Sequence, residues 1–255
     1  MDLGLRGRIA LIAGASAGIG KAVALALADE GATLALCARR RELLDEVAAE
    51  CKARGASDAR AFELDLSQPA SIDAALKEVE AALGSVEIAV LNGGGPKAGT
   101  FTRVTIDDWD SAYRILLRSM VRLVELVLPG MRAKKWGRIV ALTSTSVKVP
   151  IDNLVLSNAF RTGLVSALRT LANEVAAEGI TVNCIATGRV RTDRLRALYG
   201  TDEKIDAAAS EIPLGRVATP EEFAPLVAFL CGTSAGYVTG QTISIDGGLV
   251  RGLYG

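Results

Sequence analysis

Arg8-Ile9-Ala10-Leu11-Ile12-Ala13-Gly14-Ala15-Ser16-Ala17-Gly18-Ile19-Gly20 is an apolar run that breaks at glycine and passes at once into a helical stretch from Lys21 to Glu30. The pattern predicts a strand over Ile9–Ala13, a tight turn at Gly14 and a helix opening near Gly18. Backbone N–H groups at the opening of a helix lack internal partners and lie at the positive end of its dipole, so such a turn is a seat for phosphate. The glycines divide the work: one allows the turn, one lets backbone approach a pyrophosphate, and the last brings helix and strand together. The spacing GxxxGxG departs from the GxGxxG fingerprint, so the rest of the chain has to supply the corroboration.

Working outward, short apolar runs alternate with longer stretches of helical period. The runs are Ile9–Ala13, Thr33–Ala38, Ala61–Leu64, Ile88–Leu91, Ile139–Leu142, Thr181–Ile185 and Thr242–Ile245. Several are apolar at every position, which suits strands covered on both faces, hence a parallel sheet with helices above and below. The prediction is one doubly wound, Rossmann-like α/β domain over residues 1–255 with a seven-stranded parallel sheet. Between the runs, Arg41–Arg54 and Ser71–Leu83 read as amphipathic helices. Thr105-Ile106-Asp107-Asp108 reads as a capping box opening a helix that runs to about Leu128, where Pro129-Gly130 is expected to stop it. Ser157 to Glu178 reads as another long helix, closed by Gly179.

Composition narrows the function classes. Lys plus Arg and Asp plus Glu both count 29 in 255 residues, so no net charge draws the chain toward nucleic acid or an acidic surface. No histidine is present, and Cys37, Cys51, Cys184 and Cys231 form no CxxC pair, which argues against a metal site and a Cys-His or Ser-His nucleophile pair. The cysteines read as reduced core residues. The start has no signal-peptide pattern and no apolar run nears the roughly 18 residues of a membrane span, so a soluble, cytoplasmic protein is expected.

In a doubly wound sheet a dinucleotide lies across the carboxyl ends of the strands. After the second strand comes Cys37-Ala38-Arg39-Arg40, where an NAD site places an acid on the ribose 2′-hydroxyl; no acid occurs before Glu42. Arg39, supported by Ser16 and Arg40, offers a charge-assisted fork to a 2′-phosphate instead, which favours NADP(H) over NAD(H). Asp65, with Leu66 beside it, follows the third strand and is placed to accept from an adenine amino group. Asn92-Gly93-Gly94-Gly95 follows the fourth, where missing Cβ atoms let backbone approach a ribose.

Over nearly its whole length the chain resembles the short-chain dehydrogenase/reductase family. That family's TGxxxGIG is similar to Ala13-Gly14-Ala15-Ser16-Ala17-Gly18-Ile19-Gly20, and its NNAG to Leu91-Asn92-Gly93-Gly94. Trp109-Asp110, Leu128-Pro129-Gly130-Met131, Gly137-Arg138-Ile139-Val140, Thr181-Val182-Asn183 and Val238-Thr239-Gly240-Gln241 through Asp246-Gly247-Gly248 follow the family's framework in order. The resemblance implies a nicotinamide cofactor bound by Gly14, Ser16, Ala17, Gly18, Ile19, Gly20, Arg39, Arg40, Asp65, Leu66, Asn92, Gly93 and Gly94. It adds Gly188, Val190 and Thr192 beside the carboxamide, since the family's PG appears as Thr187-Gly188. It also implies a substrate lid at about 189–213, and a homodimer or homotetramer packed through the two long helices.

The family reduces a carbonyl with a tyrosine as proton donor, a serine on the substrate oxygen, a lysine four residues beyond the tyrosine, and an asparagine in the preceding long helix. By resemblance Ser144 is that serine, Ser157 stands for the tyrosine, Leu116 for the asparagine and Arg161 for the lysine, whose contact with the cofactor ribose and fixed positive charge it would keep. No register shift restores the motif, because none of Tyr113, Tyr199, Tyr237 and Tyr254 has a lysine four positions on. A serine hydroxyl is a far weaker acid than a phenol, and a guanidinium hardly releases its proton. A positioned general acid is worth about 10²–10⁴ in rate. The alternative donor is Lys148, in the loop after Ser144. The arginine-rich segment Arg189–Arg196, with Arg161, would suit a carboxylate, a phosphate or a 3-oxoacyl thioester on a carrier. The reading is therefore an NADP(H)-dependent oxidoreductase of a small-molecule carbonyl or alcohol with a rebuilt Ser/Arg site. A nucleotide-binding protein without redox turnover is the alternative, and dehalogenase- or lyase-like chemistry ranks last.

Overall fold

A computed structural model describes residues 2–253. The chain alternates strand and helix: β1 (Ile9–Ala13), α1 (Gly18–Asp29), β2 (Thr33–Ala38), α2 (Arg41–Arg54), β3 (Asp58–Glu63), α3 (Pro69–Leu83) and β4 (Ile88–Leu91). There follow α4 (Ile106–Tyr113), a π-helical turn (Arg114–Arg118), α5 (Ser119–Lys134), β5 (Gly137–Leu142), α6 (Val155–Val175) and β6 (Ile180–Thr187). The short helices α7 (Asp193–Tyr199), α8 (Asp202–Ala208) and α9 (Ala224–Cys231) precede β7 (Thr242–Ile245). Tyr254 lies outside the described residues.

The seven strands form one parallel sheet in the order β3-β2-β1-β4-β5-β6-β7. Alternate side chains of each strand enter different cores. Ala10, Ile12, Leu34 and Leu36 pack under α1, α2 and α9, whereas Leu11, Ala13, Ala35 and Cys37 pack against α3, α5 and α6. Burial on both faces is why the strands read as continuous apolar runs. The edge strands depart from this: β7 alternates Thr and Ser with Ile and is part-buried throughout, and β3 begins at Asp58 rather than Ala61. At the sheet edge its first residues alternate, with part-buried Asp58 and exposed Arg60 on either side of buried Ala59, so the polar positions conceal its first half.

The expected stop at Pro129 does not occur. The helix opened at Thr105 continues through the π-helical turn into α5, which holds Pro129 and ends only at Lys134. An interior proline costs about 3 kcal/mol, but Val127 and Met131, on either side of it, are essentially fully buried. Two large side chains in the core offset that cost, at roughly 1.5–3 kcal/mol each. The capping box is formed: Thr105 Oγ1 accepts from Asp108 N (3.2 Å) and Asp108 Oδ2 accepts from Thr105 N (3.0 Å). The second long helix starts at Val155, tightens into a 3₁₀ turn over Ala176–Glu178 and closes at Gly179, whose φ is 77°. All four cysteines are free and buried. Among the described residues no helix is long and apolar enough to cross a membrane, and no acidic, cysteine or histidine cluster is arranged to hold a metal.

Candidate active-site cleft

The chain builds β1 to β3 outward in one direction, then places β4 on the other side of β1. At that switch the connections leave the carboxyl ends of β1 and β4 toward opposite faces, and a crevice opens between them. A cleft of about 410 Å³ lies there, lined from four strand ends: Gly14 after β1, Asn92 to Pro96 after β4, Leu142 to Ser144 at β5, and Thr187-Gly188 at β6.

The glycine turn is built as its spacing requires. Gly14 has φ +66°, and a Cβ on Gly20 would lie 2.1 Å from the Gly14 carbonyl oxygen, so helix and strand close here only without a side chain. Asn92 pins the turn, its Nδ2 donating to Gly14 O at 3.4 Å. Ala17 precedes the helix in extended conformation and caps nothing with its side chain, which leaves the first amides of α1 facing the cleft beside Ser16, Ala17, Gly18 and Ile19. Gly20 sits behind the lining, as a spacer.

The arginines after β2 divide differently from the expectation centred on Arg39. Arg40 lines the cleft and its Nη2 donates to Ser16 Oγ at 3.3 Å. Arg39 is not among the lining residues; its charge acts on Asp65. The Asp65 carboxyl is held below its usual range first by the Ser67 amide and hydroxyl, both on Oδ1, against partial burial, with Arg39 adding a smaller pull. Asp65 and Leu66 flank the cleft without lining it.

Ser144, Ser157 and Arg161 come together in the cleft wall. Ser144 Oγ accepts from Ser146 N at 3.1 Å, which leaves its own proton to donate. Ser157 is 5% exposed on the first turn of α6. One turn on, Arg161 is half-buried, and its Nη1 donates to Leu142 O, the last carbonyl of β5, at 3.0 Å. Burial pushes the Arg161 guanidinium down to about 10, with the nearby charge of Arg194 adding to the shift. No carboxylate pairs with it among the described residues. Asn158, which sequence reasoning passed over, clamps the loop before α6 by bonding both the N–H (3.2 Å) and the carbonyl (3.0 Å) of Ile151. Leu116, in the π-helical turn, is buried and brings no polar group. Lys148 ends the short turn Thr145–Val147, half-buried, and is not among the cleft-lining residues.

Gly188, Val190 and Thr192 line the cleft from the β6 side. Thr192 caps α7, accepting from Leu195 N at 3.3 Å, and stands over the glycine turn, its Cγ2 3.2 Å from where a Gly18 Cβ would be. The Thr187 hydroxyl, at the family's proline position by resemblance, is buried without a protein partner among the described residues. Beyond it, three of the four expected arginines are neutralised locally: Arg189 by Glu211, Arg191 by Asp206 and Asp202, and Arg196 by Asp202. Only Arg194 reaches the cleft.

A doubly wound sheet with a glycine turn and a cleft at its switch point defines a dinucleotide-binding type of protein. The comparisons narrow that class. Residues 14–250 match the family model described as Enoyl-(Acyl carrier protein) reductase. The chain is 35% identical over 254 residues to 3-oxoacyl-[acyl-carrier-protein] reductase FabG of Vibrio cholerae, covering 97% of this chain and 99% of that one. It superimposes on YwfH, an NADPH dependent reductase involved in bacilysin biosynthesis, with a TM-score of 0.93 at 28% identity, over 97% of this chain and all (100%) of that one. The L-sorbose reductase of Gluconobacter frateurii, solved with NADPH and L-sorbose, gives a TM-score of 0.91 at 32% identity over 99% and 100% of the two chains. This chain belongs to the short-chain dehydrogenase/reductase family.

Proposed function

We propose that this chain is an NADP(H)-dependent oxidoreductase that interconverts a small carbonyl compound and its alcohol, using a Ser/Arg site in place of the family's tyrosine and lysine. The observation that carries the reading is the convergence of the glycine turn, the Arg40–Ser16 pair and the Ser144, Ser157 and Arg161 side chains on one cleft. The residues fit the cofactor: orphan amides at the start of α1 suit a diphosphate, Arg40 suits a 2′-phosphate, and the unpartnered Thr187 hydroxyl suits an amide. Reductase relatives, among them a FabG that covers 97% of this chain and a sorbose reductase solved with NADPH, support the same cofactor.

The bound nicotinamide supplies or accepts the hydride. The protein holds the substrate oxygen and steadies its charge. Ser144, with its oxygen occupied by the Ser146 amide, donates toward that oxygen. Ser157 offers a second hydroxyl in the same cleft. Arg161 keeps its proton at neutral pH even with its pKa lowered to about 10, so it acts as a fixed positive charge beside the developing alkoxide rather than as an acid. Neither serine is acidic enough to be the ultimate donor, so the proton comes from solvent and passes along the hydroxyls. A cleft without a phenol also favours a second reading, a nucleotide-binding subunit without turnover.

The experiment is a fluorescence titration with NADPH and NADH followed by a turnover assay. NADPH is expected to bind more tightly than NADH, with Arg40→Ala weakening NADPH far more than NADH and Arg39→Ala doing so less. Turnover of ketones or 3-oxoacyl thioesters that falls in Ser144→Ala supports the enzyme. Tight NADPH binding with no turnover above the Ser144→Ala control supports the silent subunit. Exposed Ile106, Tyr113 and Val121 along α4 and α5 support self-association into a homodimer or homotetramer, which sedimentation checks.

A further inference from the structure

The cleft has more positive charge than the proposed cofactor site uses. Its charged lining consists of Arg40, Arg161, Arg194 and a single acid, Asp193, exposed at the start of α7. Arg40 is accounted for by Ser16 and the 2′-phosphate, and Arg161 by the reacting oxygen. Arg194 is not accounted for. Its neighbours Arg189, Arg191 and Arg196 are all paired with acids of α8 or of the turn that follows it, so the arginine richness there is mostly internal bracing.

Arg194 alone turns inward, and it does so into a space made for it. Its Nη2 donates to Pro96 O at 2.8 Å, across the cleft from its own helix. A Cβ on Gly95 would lie 2.2 Å from its Nε and 2.3 Å from its Cζ. Gly95 is therefore the residue that allows the guanidinium to lie flat on the β4 loop. The remaining four N–H groups, on Nε, Nη1 and Nη2, have no protein acceptor among the described residues, and no carboxylate neutralises the charge. Half-burial lowers the Arg194 pKa, and Arg161 feels the same charge. A desolvated guanidinium with free donors calls for an anion.

The anion's place in the cleft indicates which ligand brings it. Thr192 stands over Gly18 at the phosphate seat, whereas Arg194 stands further along, against Gly95 and Pro96, with Leu154, Leu195 and Leu198 in the same wall. We propose that Arg194, seated on Gly95, is a specificity-determining residue that binds the carboxylate of the substrate, which makes the substrate a free oxo acid, or its hydroxy acid, with an apolar tail. This rests on the oxidoreductase reading above and deepens it. A carrier-bound thioester, which is uncharged next to its carbonyl, would leave Arg194 unmatched.

The test is calorimetric titration of the NADP⁺-loaded protein with 2-oxooctanoate, 4-oxooctanoate and their methyl esters. At least one acid is expected to bind about 10- to 100-fold more tightly than its ester, the range of a charged hydrogen-bonded contact. Arg194→Gln is expected to bring that ratio close to one while NADPH affinity changes less than about threefold. Gly95→Ala keeps the charge but drives a methyl into the guanidinium, and is expected to lower the ratio as well; if R194Q loses its fold, G95A carries the test. An unchanged ratio in the variants overturns the proposal, as does acid binding no tighter than ester binding. A fall in NADPH affinity that matches the fall in acid affinity reassigns Arg194 to the cofactor diphosphate and also overturns it. Failure of the wild-type chain to bind NADPH would overturn the oxidoreductase reading instead.

Discussion

Replacing Arg161 by methionine is expected to stabilise the ligand-free protein while weakening its hold on NADPH. The guanidinium sits in the cleft wall with one protein partner among the described residues, Leu142 O at 3.0 Å, and burial brings its pKa down from the usual arginine range to about 10. The sign follows from linkage. A base whose folded pKa lies below its unfolded value penalises the fold in full at any pH below the folded value, and the penalty is relieved only as pH rises through about 10 toward the ordinary arginine value. At pH 7 the whole penalty applies, and the shift sets it at no more than about 3 kcal/mol. Methionine removes it, keeps most of the apolar stem's packing, and forfeits one hydrogen bond worth about 1 kcal/mol. The net gain is about 1–2 kcal/mol, or about 2–8 °C in Tm for a chain of this size. The assay is thermal and urea unfolding of both proteins at one fixed concentration, with and without saturating NADPH. NADPH is expected to raise the Tm of the wild type more than that of Arg161→Met. A ligand-free variant less stable than wild type, or equal stabilisation of both by NADPH, would refute the view that Arg161 is held desolvated for contact with the bound cofactor.

Two further outcomes test the core. Glu87 is buried beneath α5, and although burial alone raises its pKa, Arg8, the Ile9 amide and Lys134 together hold the carboxyl below its usual range. That stability is present above the ordinary carboxylate pKa and is lost as pH falls through the lower folded value. Glu87→Gln is accordingly expected to cost about 1–3 kcal/mol at pH 7 and much less at pH 3, as urea midpoints at the two pH values will show; an equal cost at both would contradict the ion-pair account. Cys37, Cys51, Cys184 and Cys231 are buried, and burial pushes each thiol up to about 12. An aromatic disulfide reagent at pH 8 is expected to leave all four untouched in the native protein and to modify all four in denaturant.

Much of the architecture was legible in the chain itself, because both faces of the sheet are buried and strand identity is written as unbroken apolar runs. β1, β2, α2, β4 and β7 fall where those runs and their helical neighbours predict. The glycine turn was equally plain, since Gly14 and Gly20 are demanded by local geometry that any neighbour would meet. Local signals misled where long-range burial outvoted them, as at Pro129, carried through α5 by Val127 and Met131, and at β3, whose edge position hides its beginning. The site residues divide on the same line. Ser144, Ser157 and Arg161 could be picked out by their spacing from strand ends, but no spacing says which arginine faces an acid. Arg189, Arg191, Arg194 and Arg196 look alike in sequence. Only the folding of α8 back onto α7 supplies Asp202 and Asp206 to two of them, with Glu211 taking a third, and leaves Arg194 lying on Gly95, far earlier in the chain. Short-range preference therefore determined the elements and the phosphate seat, whereas the balance of charge in the cleft, which is a sum over groups distant in sequence, was decided by tertiary structure alone.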